Sequence, residues 1–296
     1  MKKKDGVLIP VDFSEYSKQA CEIGFWYASK VGAEVVLFHA SYFNPVFTPK
    51  IFKIDNVDED ASVLEIQEQG SFYQDTEKKL EDFAEFVKTK IKKREWPNVR
   101  FETVISNGLP EEEILNYAKK NPLRMIIMGT RGKDRKDLDL IGSVTAEVID
   151  RSKVPVLAIP ENTPFNDITD VKRIAFGTGF NERDLVAFDA LLKMFQNFDV
   201  EYYLFHLSHK KDTWDEIKLA GIKEYYEKRY PNYTINYNII DADEFLRGME
   251  DFIKLNNIDV ISLATYKRNL FTRLFNPSIA HKMLFHTDTP VLAFYS

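Results

Sequence analysis

The sequence is poor in cysteine, has no excess of basic residues and contains no long apolar run. A single cysteine, Cys21, in 296 residues excludes a disulfide framework and any metal site built from several thiolates. The 46 acidic residues outnumber the 40 basic ones, and this balance argues against non-specific binding to nucleic acid. Three lysines precede the first apolar stretch, but Val7–Val11 is too short for a signal peptide or a membrane span. We therefore predict no targeting segment and no membrane association.

The composition is that of a folded globular protein. Hydrophobic residues make up 44% of the chain and charged residues 29%, which excludes intrinsically disordered and low-complexity classes. At about 150 residues per domain, the length favours two domains.

The two halves of the chain repeat one another. Val154–Ile159 resembles Thr289–Phe294 at an offset of 135 residues, and Leu37–His39 resembles Leu204–His206 at an offset of 167. The two offsets differ by 32 residues, so the first half carries an insertion of about that length, at about 41–74. We interpret the chain as two copies of one domain.

Loop-forming residues mark the junction between the copies, because Pro160, Asn162 and Pro164 favour turns over regular structure. The predicted domains are 1–162 and 163–296. The insertion is compatible with a lid, a partner surface or a loose loop, and the sequence does not choose among them.

Short apolar runs alternate with helical patterns in both copies. The predicted strands of the first copy are Val7–Val11, Val35–Ala40, Val99–Ile105, Arg124–Met128 and Val156–Ile159. Those of the second copy are Arg173–Gly177, Val200–His206, Tyr233–Ile239, Val260–Ala264 and Val291–Phe294. Helices are predicted after Ser14 to about Val31, from Pro110 to about Lys120 and over Ser278–His286, among others. This alternation predicts an α/β fold with a mainly parallel sheet and helices on both faces. Ligands in such sheets bind at the carboxyl ends of the strands, where the strand order reverses.

A glycine pattern follows the fourth predicted strand. Gly129-Thr-Arg-Gly132 is followed, after nine residues, by Gly142-Ser-Val-Thr145, which opens a helix. Glycine lets backbone N–H groups approach an anion and allows positive φ, and a helix N-terminus adds the positive end of its dipole. The pattern therefore suits a polyphosphate.

Side chains in the same stretch could strengthen such a site. The hydroxyls of Ser143 and Thr145 can donate to phosphate oxygens, and Arg131 or Lys133 can supply positive charge. The competing interpretation is a glycine-rich turn with a helix cap, and spacing alone leaves both open.

Asp12 directly follows the first predicted strand, in the segment Pro10-Val-Asp-Phe-Ser14. A carboxylate at this edge of the sheet can accept from a base amino group or a ribose hydroxyl. The alternative is a turn residue that hydrogen-bonds its own backbone.

These motifs together resemble the universal stress protein family. The resemblance rests on Pro10-Val-Asp12, the Gly-x2-Gly-x9-Gly-Ser-Val-Thr stretch from Gly129, and the Val-Pro-Val-Leu strand at 154–157. It covers nearly the whole chain as a tandem of two domains and marks the ATP-binding branch of the family. It implies Rossmann-like, adenine nucleotide α-hydrolase-like domains, each a five-stranded parallel sheet of order 3-2-1-4-5 with ATP in the switch-point cleft.

The resemblance also implies which residues of this chain bind ATP. The base and ribose side comprises Pro10, Val11, Asp12 and Ala40, with Met128 lining the pocket, and the phosphate side comprises Gly129, Arg131, Gly132, Gly142, Ser143, Val144 and Thr145. Mg²⁺ is compatible with the phosphates. In the family the final strands pair to form dimers. Here Val156–Ile159 and Val291–Phe294 could pair within one chain, and a homodimer of the whole chain stays open.

The second copy departs from the motif. It has Gly179, Ala264, Lys267 and Pro277 where the first has Asp12, Gly129, Gly132 and Gly142. We expect no family-type ATP site there, because a lysine side chain would enter the phosphate space and proline lacks an N–H donor. The basic, aromatic loop at 266–275 favours contact with a partner over binding of another anion.

The leading hypothesis is a cytoplasmic, ATP-binding regulatory protein of the stress response. No nucleophile, base and orienting group can be recognised near the glycine loop, so slow ATP hydrolysis or autophosphorylation is the most that is expected, and no histidine metal site is predicted. His39 and His206 occupy matched positions in both copies, which favours a structural role. The alternative is a nucleotide-independent interaction scaffold that uses the second domain and the insertion.

Overall fold

The computed structural model describes residues 5–41, 50–54, 71–130, 142–208, 212–241, 245–265 and 288–295. The elements of the first half are β1 (Gly6–Pro10), α1 (Glu15–Val31), β2 (Glu34–Ser41), β3 (Lys50–Ile54), α2 (Ser71–Lys92), β4 (Phe101–Asn107), α3 (Pro110–Lys120), β5 (Leu123–Gly129), α4 (Ser143–Arg151) and β6 (Val156–Ile159). After a 3₁₀ turn at Ile168–Asp170, the second half contains β7 (Arg173–Gly177), α5 (Glu182–Met194), β8 (Glu201–Ser208), α6 (Thr213–Arg229), β9 (Ile235–Asp241), α7 (Phe245–Asn256), β10 (Val260–Thr265) and β11 (Val291–Tyr295).

Local sequence signals account for the ends of α1. Ser14 caps its N-terminus, and the Ser14 side chain accepts a hydrogen bond from the Ser17 backbone N–H. Gly32 ends the helix in the left-handed region at φ 68°, which glycine adopts without a Cβ clash. The helix therefore lies where the sequence predicts it.

The described strands form one sheet in the order β3-β4-β2-β1-β5-β6-β11-β10-β7-β8-β9. The predicted α/β fold class is confirmed, because neighbouring strands within each half run parallel apart from β3. The two halves meet where β6 pairs with β11 in antiparallel fashion, with Leu157 opposite Leu292.

The insertion differs from expectation, because part of it belongs to the sheet. β3 pairs antiparallel with β4, with Lys50 opposite Ile105 and Ile54 opposite Phe101. The first half therefore has six strands rather than the five predicted. An edge strand leaves backbone N–H and C=O groups unpaired, and β3 satisfies those of β4. The predicted helix at 278–286 lies outside the described residues.

A hydrophobic core runs along one face of the sheet through both halves. Phe25 of α1, Phe188 of α5 and Leu219 of α6 belong to this one buried cluster. Tyr27 of the first half stacks on Phe198 of the second, with ring centroids 5.8 Å apart. On the opposite face, α3 and α4 cover the first half and α7 covers the second. Among the described helices, none is both long and apolar enough to cross a membrane.

Candidate functional site

The turn after β1 holds Asp12 through its carboxylate. Oδ1 of Asp12 accepts hydrogen bonds from the Ser14 N–H at 3.1 Å and from the Ser14 hydroxyl at 2.5 Å. The Ser17 hydroxyl donates to the same oxygen at 2.5 Å, and the Asp12 N–H donates to Ser17 Oγ at 2.9 Å. The interpretation of Asp12 as a turn residue that bonds its own backbone is therefore confirmed. Its role toward a ligand stays a prediction, and the residue is only half-buried.

Phe13 and His39 support the same turn. Phe13 has φ 66°, in the left-handed region that bulky residues rarely adopt, and its ring stacks on His39 with centroids 4.6 Å apart. His39 Nδ1 lies 2.7 Å from the Val11 carbonyl oxygen, and because a carbonyl only accepts, Nδ1 carries the proton. Burial lowers the pKa of His39, although the hydrogen bond to Val11 and the charge of Asp12 oppose that shift. The ring is therefore a neutral structural group, in agreement with the expected structural role.

The structure brings the two ends of the glycine pattern together. The Gly142 N–H donates to the Thr130 carbonyl oxygen at 2.5 Å, and the Thr145 hydroxyl donates to the Gly129 carbonyl oxygen at 2.9 Å. The start of α4 is thus tied to the end of β5. Arg131, Gly132 and Lys133 lie outside the described residues.

These hydrogen bonds change the roles that were expected of individual residues. The Thr145 hydroxyl, expected to donate to a phosphate, here has a protein partner and is buried. The Gly142 N–H is likewise committed to the protein. Gly142 has φ −67° and ψ 147°, which other residues also adopt, so the expected positive φ is not found at this glycine.

Gly129 is required by packing. A Cβ added to it would lie 2.8 Å from Cβ of Tyr16 in α1. Real Cβ atoms essentially never approach that closely, so α1 crosses the end of β5 where no side chain fits. Glycine at this position is explained by helix–strand packing, whether or not a ligand binds.

The predicted base-side residues divide between the two faces of the sheet. Val11 is buried in the core cluster on the α1 face, whereas Met128 is buried on the α4 face and Ala40 packs beside it. The side chain of Val11 therefore cannot line the same pocket as Met128. Both backbone polar groups of Val11 have partners, because its N–H donates to the Phe38 carbonyl and its carbonyl accepts from His39. Pro10 is half-buried at the end of β1.

A glycine begins helix α4. Gly142 occupies the N-cap position without a side-chain hydrogen bond, and Ser143 in the first turn is exposed. First-turn amides have no acceptors within their own helix, and the helix dipole favours an anion beside them. Val144 packs against the core cluster of the α4 face. β1 and β5 are paired neighbours, and Asp12 follows the end of β1. The start of α4 is tied to the end of β5, so Asp12 and this helix start lie at the same edge of the sheet.

The second half builds the same turn after β7. Phe180 has φ 60° and stacks on His206 with centroids 3.9 Å apart. His206 Nδ1 lies 2.8 Å from the Thr178 carbonyl oxygen. Gly179 stands between Thr178 and Phe180 and contributes no carboxylate.

A carboxylate missed in the sequence, Asp184 of α5, serves this second turn. Its Oδ2 accepts from the Gly179 N–H at 2.7 Å, from Asn181 Nδ2 at 2.7 Å and from the Thr178 hydroxyl at 3.3 Å. Burial raises the pKa of Asp184, while these hydrogen bonds and His206 act to lower it. The 167-residue offset aligns Asp184 with Ser17, and that alignment was the signal that could have revealed it.

Apolar side chains occupy the space next to Gly177, at the end of β7 in the second half. A Cβ added to Gly177 would lie 2.8 Å from Leu263 Cδ2 and 3.0 Å from Phe205 Cζ. The space on the α7 face is therefore occupied by the chain itself. Lys267, Pro277 and Ser278 lie outside the described residues.

Known proteins resemble this chain in sequence and in fold. The profile of the universal stress protein family matches residues 5–160. Universal stress protein MJ0577 of Methanocaldococcus jannaschii is 28% identical over 159 residues, covering 52% of this chain and 93% of that protein. Universal stress protein YxiE of Bacillus subtilis is 30% identical over 156 residues, covering 52% and 97%. The crystal structure of a universal stress protein from Archaeoglobus fulgidus superposes with a TM-score of 0.70 at 18% identity, covering 98% of this chain and 96% of that one, and this likeness shows the fold.

Proposed function

The chain belongs to the universal stress protein family, and we propose that its first domain, residues 1–162, binds ATP as a regulatory ligand in the cytoplasm during a stress response. The second domain, residues 163–296, lacks this activity and completes an intramolecular pseudo-dimer through β6 and β11. Binding is the proposed activity, and slow hydrolysis or autophosphorylation is the most turnover that we expect.

The observation that carries the proposal is the start of α4 at Gly142, which is tied to the end of β5. The bond from the Gly142 N–H to the Thr130 carbonyl holds this helix N-terminus at the carboxyl edge of the sheet. β5 is the neighbour of β1, and the strand order reverses between them. An anionic group is favoured at the helix start, and the half-buried Asp12 carboxylate can accept from a sugar or base. The residues present therefore fit a nucleotide.

The proposed contacts follow the resemblance, with the corrections that the geometry imposes. The proposed base and ribose contacts are Pro10, Val11, Asp12, Ala40 and Met128, and the proposed phosphate contacts are Gly129, Arg131, Gly132, Gly142, Ser143, Val144 and Thr145. Of these, Gly129, Gly142 and Thr145 act by holding β5 and α4 together, because the Gly142 N–H and the Thr145 hydroxyl both donate to the end of β5. Val11 acts by shaping the turn that carries Asp12, because its side chain lies on the α1 face and its N–H and carbonyl both have partners. Mg²⁺ would be held mainly through the phosphates.

Thermal unfolding with and without ATP tests the proposal. ATP at a hundredfold excess over its Kd stabilises the folded state by about 2.7 kcal/mol, or roughly 5–10 °C in a chain of this size. Gly142→Pro removes the N–H that bonds to Thr130, so we expect the ATP shift to disappear. Gly132→Lys, which introduces the residue of the second half, is expected to do the same.

The matched control is Gly142→Ala. It keeps the N–H, and among the described residues its Cβ would meet the Thr130 carbonyl oxygen alone, at 3.4 Å. We expect this variant to retain most of the shift. A wild-type protein that shows no shift with ATP and carries no nucleotide after purification would contradict the proposed function.

A nucleotide-independent scaffold is the second candidate, and α6 favours it. Trp214 and Ile217 are 63% and 53% exposed, and Tyr225 on the same helix is exposed as well. Exposed apolar side chains at helical spacing are typical of surfaces that contact other proteins. A wild type without any ATP response that still binds partners through α6 would favour this candidate.

A further inference from the structure

One arrangement of an aromatic residue and a histidine recurs in the turns after β1 and β7. Phe13 and Phe180 have φ values of 66° and 60°, and each stacks on a histidine at an interplanar angle of 29°. Nδ1 of His39 and of His206 lies 2.7 and 2.8 Å from the carbonyl oxygen two residues before the phenylalanine. The sequences between these anchors differ, so the repeated geometry belongs to the anchors themselves.

Each histidine fixes two points of its turn. A phenylalanine in the left-handed region is strained and persists only where its surroundings over-determine it. The imidazole supplies a stacking face for that ring and an N–H donor for the carbonyl that precedes the turn. One residue lies between the anchored carbonyl and the anchored phenylalanine. The histidine therefore fixes the position of that residue without contacting its side chain.

The residue so placed is Asp12 in the first half and Gly179 in the second. We propose that His39 is a positioning residue for nucleotide binding, which holds the turn at 11–13 so that the Asp12 carboxylate stays at the switch between β1 and β5. The inference rests on the proposed function. The second half supplies an internal control, because His206 makes the same two contacts around a residue that has no side chain.

The surroundings of the two histidines differ and set the choice of variants. In the first half, Phe83 of α2 packs against Phe13 with centroids 6.0 Å apart. In the second half, Lys218 of α6 lies over Phe180 at 5.5 Å, and Asp215 lies 3.5 Å from His206 Nε2. Variants that remove only the donor, or only the ring, separate the shared contacts from these additional ones.

The test uses two substitutions at each histidine in the full chain. His39→Phe keeps a flat ring against Phe13 and removes the donor to Val11, whereas His39→Asn places an amide N–H where Nδ1 was. His206→Phe and His206→Asn are the matched pair. The measurements are the Kd for ATP by titration calorimetry and the hydrogen exchange of residues 11–17 and 178–184.

We expect His39→Phe to weaken ATP binding about tenfold, since one buried acceptor loses its partner, and to speed hydrogen exchange at 11–17. His39→Asn is expected to recover most of the affinity. His206→Phe is expected to speed exchange at 178–184 and to change the ATP affinity less than twofold.

Two results would overturn the inference: an unchanged ATP affinity in His39→Phe, or an equal loss in His206→Phe, which would mark a general loss of stability. A wild type that does not bind ATP would defeat the proposed function instead. Exchange at 11–17 then decides the positioning role alone, because an increase in His39→Phe supports it and no change rejects it.

Discussion

The turns after β1 and β7 each contain a carboxylate, but the two carboxylates come from different elements. In the first half Asp12 belongs to the turn and accepts from the Ser14 and Ser17 hydroxyls. In the second half Asp184 belongs to the helix and accepts from the Gly179 N–H and the Asn181 side chain. The first carboxylate is half-buried, and the second is 3% exposed. One turn therefore keeps a carboxylate within reach of solvent, and the other uses its carboxylate to hold the fold.

Helices α2 and α6, which follow β3 and β8, also differ between the two halves. On α2 the exposed side chains that the structure describes are polar, and Leu80, Phe83 and Val87 are buried. On α6, Trp214 and Ile217 are exposed. Of the two helices, α2 therefore directs its described apolar side chains inward, whereas α6 leaves some of them at the surface.

The largest expected effect comes from removing each carboxylate in a separate variant. Asp184→Ala removes a buried carboxylate that accepts hydrogen bonds from Gly179, Asn181 and Thr178, so we expect a loss of about 2–4 kcal/mol in the free energy of unfolding. Asp12→Ala is expected to cost only about 1 kcal/mol, because the buried Ser14 and Ser17 hydroxyl oxygens lie 3.5 Å apart and one can donate to the other. Urea unfolding of both variants measures the difference, while ATP titration is expected to show the reverse order. Equal losses of stability would contradict the assignment of different roles.

A smaller effect is expected from exchanging glycine and alanine at the ends of β5 and β10. Gly129→Ala places a Cβ 2.8 Å from that of Tyr16, and we expect a loss of about 1–3 kcal/mol. The counterpart Ala264→Gly creates no clash and is expected to cost about 0.5–1 kcal/mol through backbone entropy. Thermal unfolding of the two variants measures both losses of stability. A Gly129→Ala variant as stable as the wild type would contradict the packing requirement at Gly129 and show that α1 can move aside.

The smallest expected effect is a gain in stability on α6. Gly221 has open space where a Cβ would lie, so Gly221→Ala is expected to stabilise the protein by about 0.5–1 kcal/mol. Gly24→Ala on α1 is the control of opposite sign, because its Cβ would clash with the buried Ile9 Cδ1. A loss of stability in Gly221→Ala, measured by urea unfolding, would indicate that the outer face of α6 is already covered.

Much of the fold was predictable because its signals are local. Apolar runs marked the strands, and Ser14 and Pro110 marked helix starts at positions that the structure retains. The family resemblance allowed the final strands to pair within one chain, and β6 and β11 lie side by side at the centre of the sheet. The insertion gave no such signal, because the antiparallel pairing of β3 depends on an edge of β4 that only the folded sheet presents.

The candidate site was predicted less completely. Asp12 and the glycine pattern were found as motifs, but a motif does not tell which partner a polar group will have. The Gly142 N–H and the Thr145 hydroxyl bond to the end of β5, and Val11 faces away from Met128. These relations join residues that are far apart in the chain or on opposite faces of a strand, so they could not be deduced from spacing.

The sequence by itself determined the alternation of strands and helices and the family, because both depend on short runs of neighbouring residues. Tertiary structure alone decided that the turn at 179 recovers a carboxylate from Asp184, that Gly129 is required by Tyr16, and that the insertion extends the sheet. The physical reason is that hydrogen bonding and close packing depend on distance in space, and the chain reveals that distance only when its elements have come together.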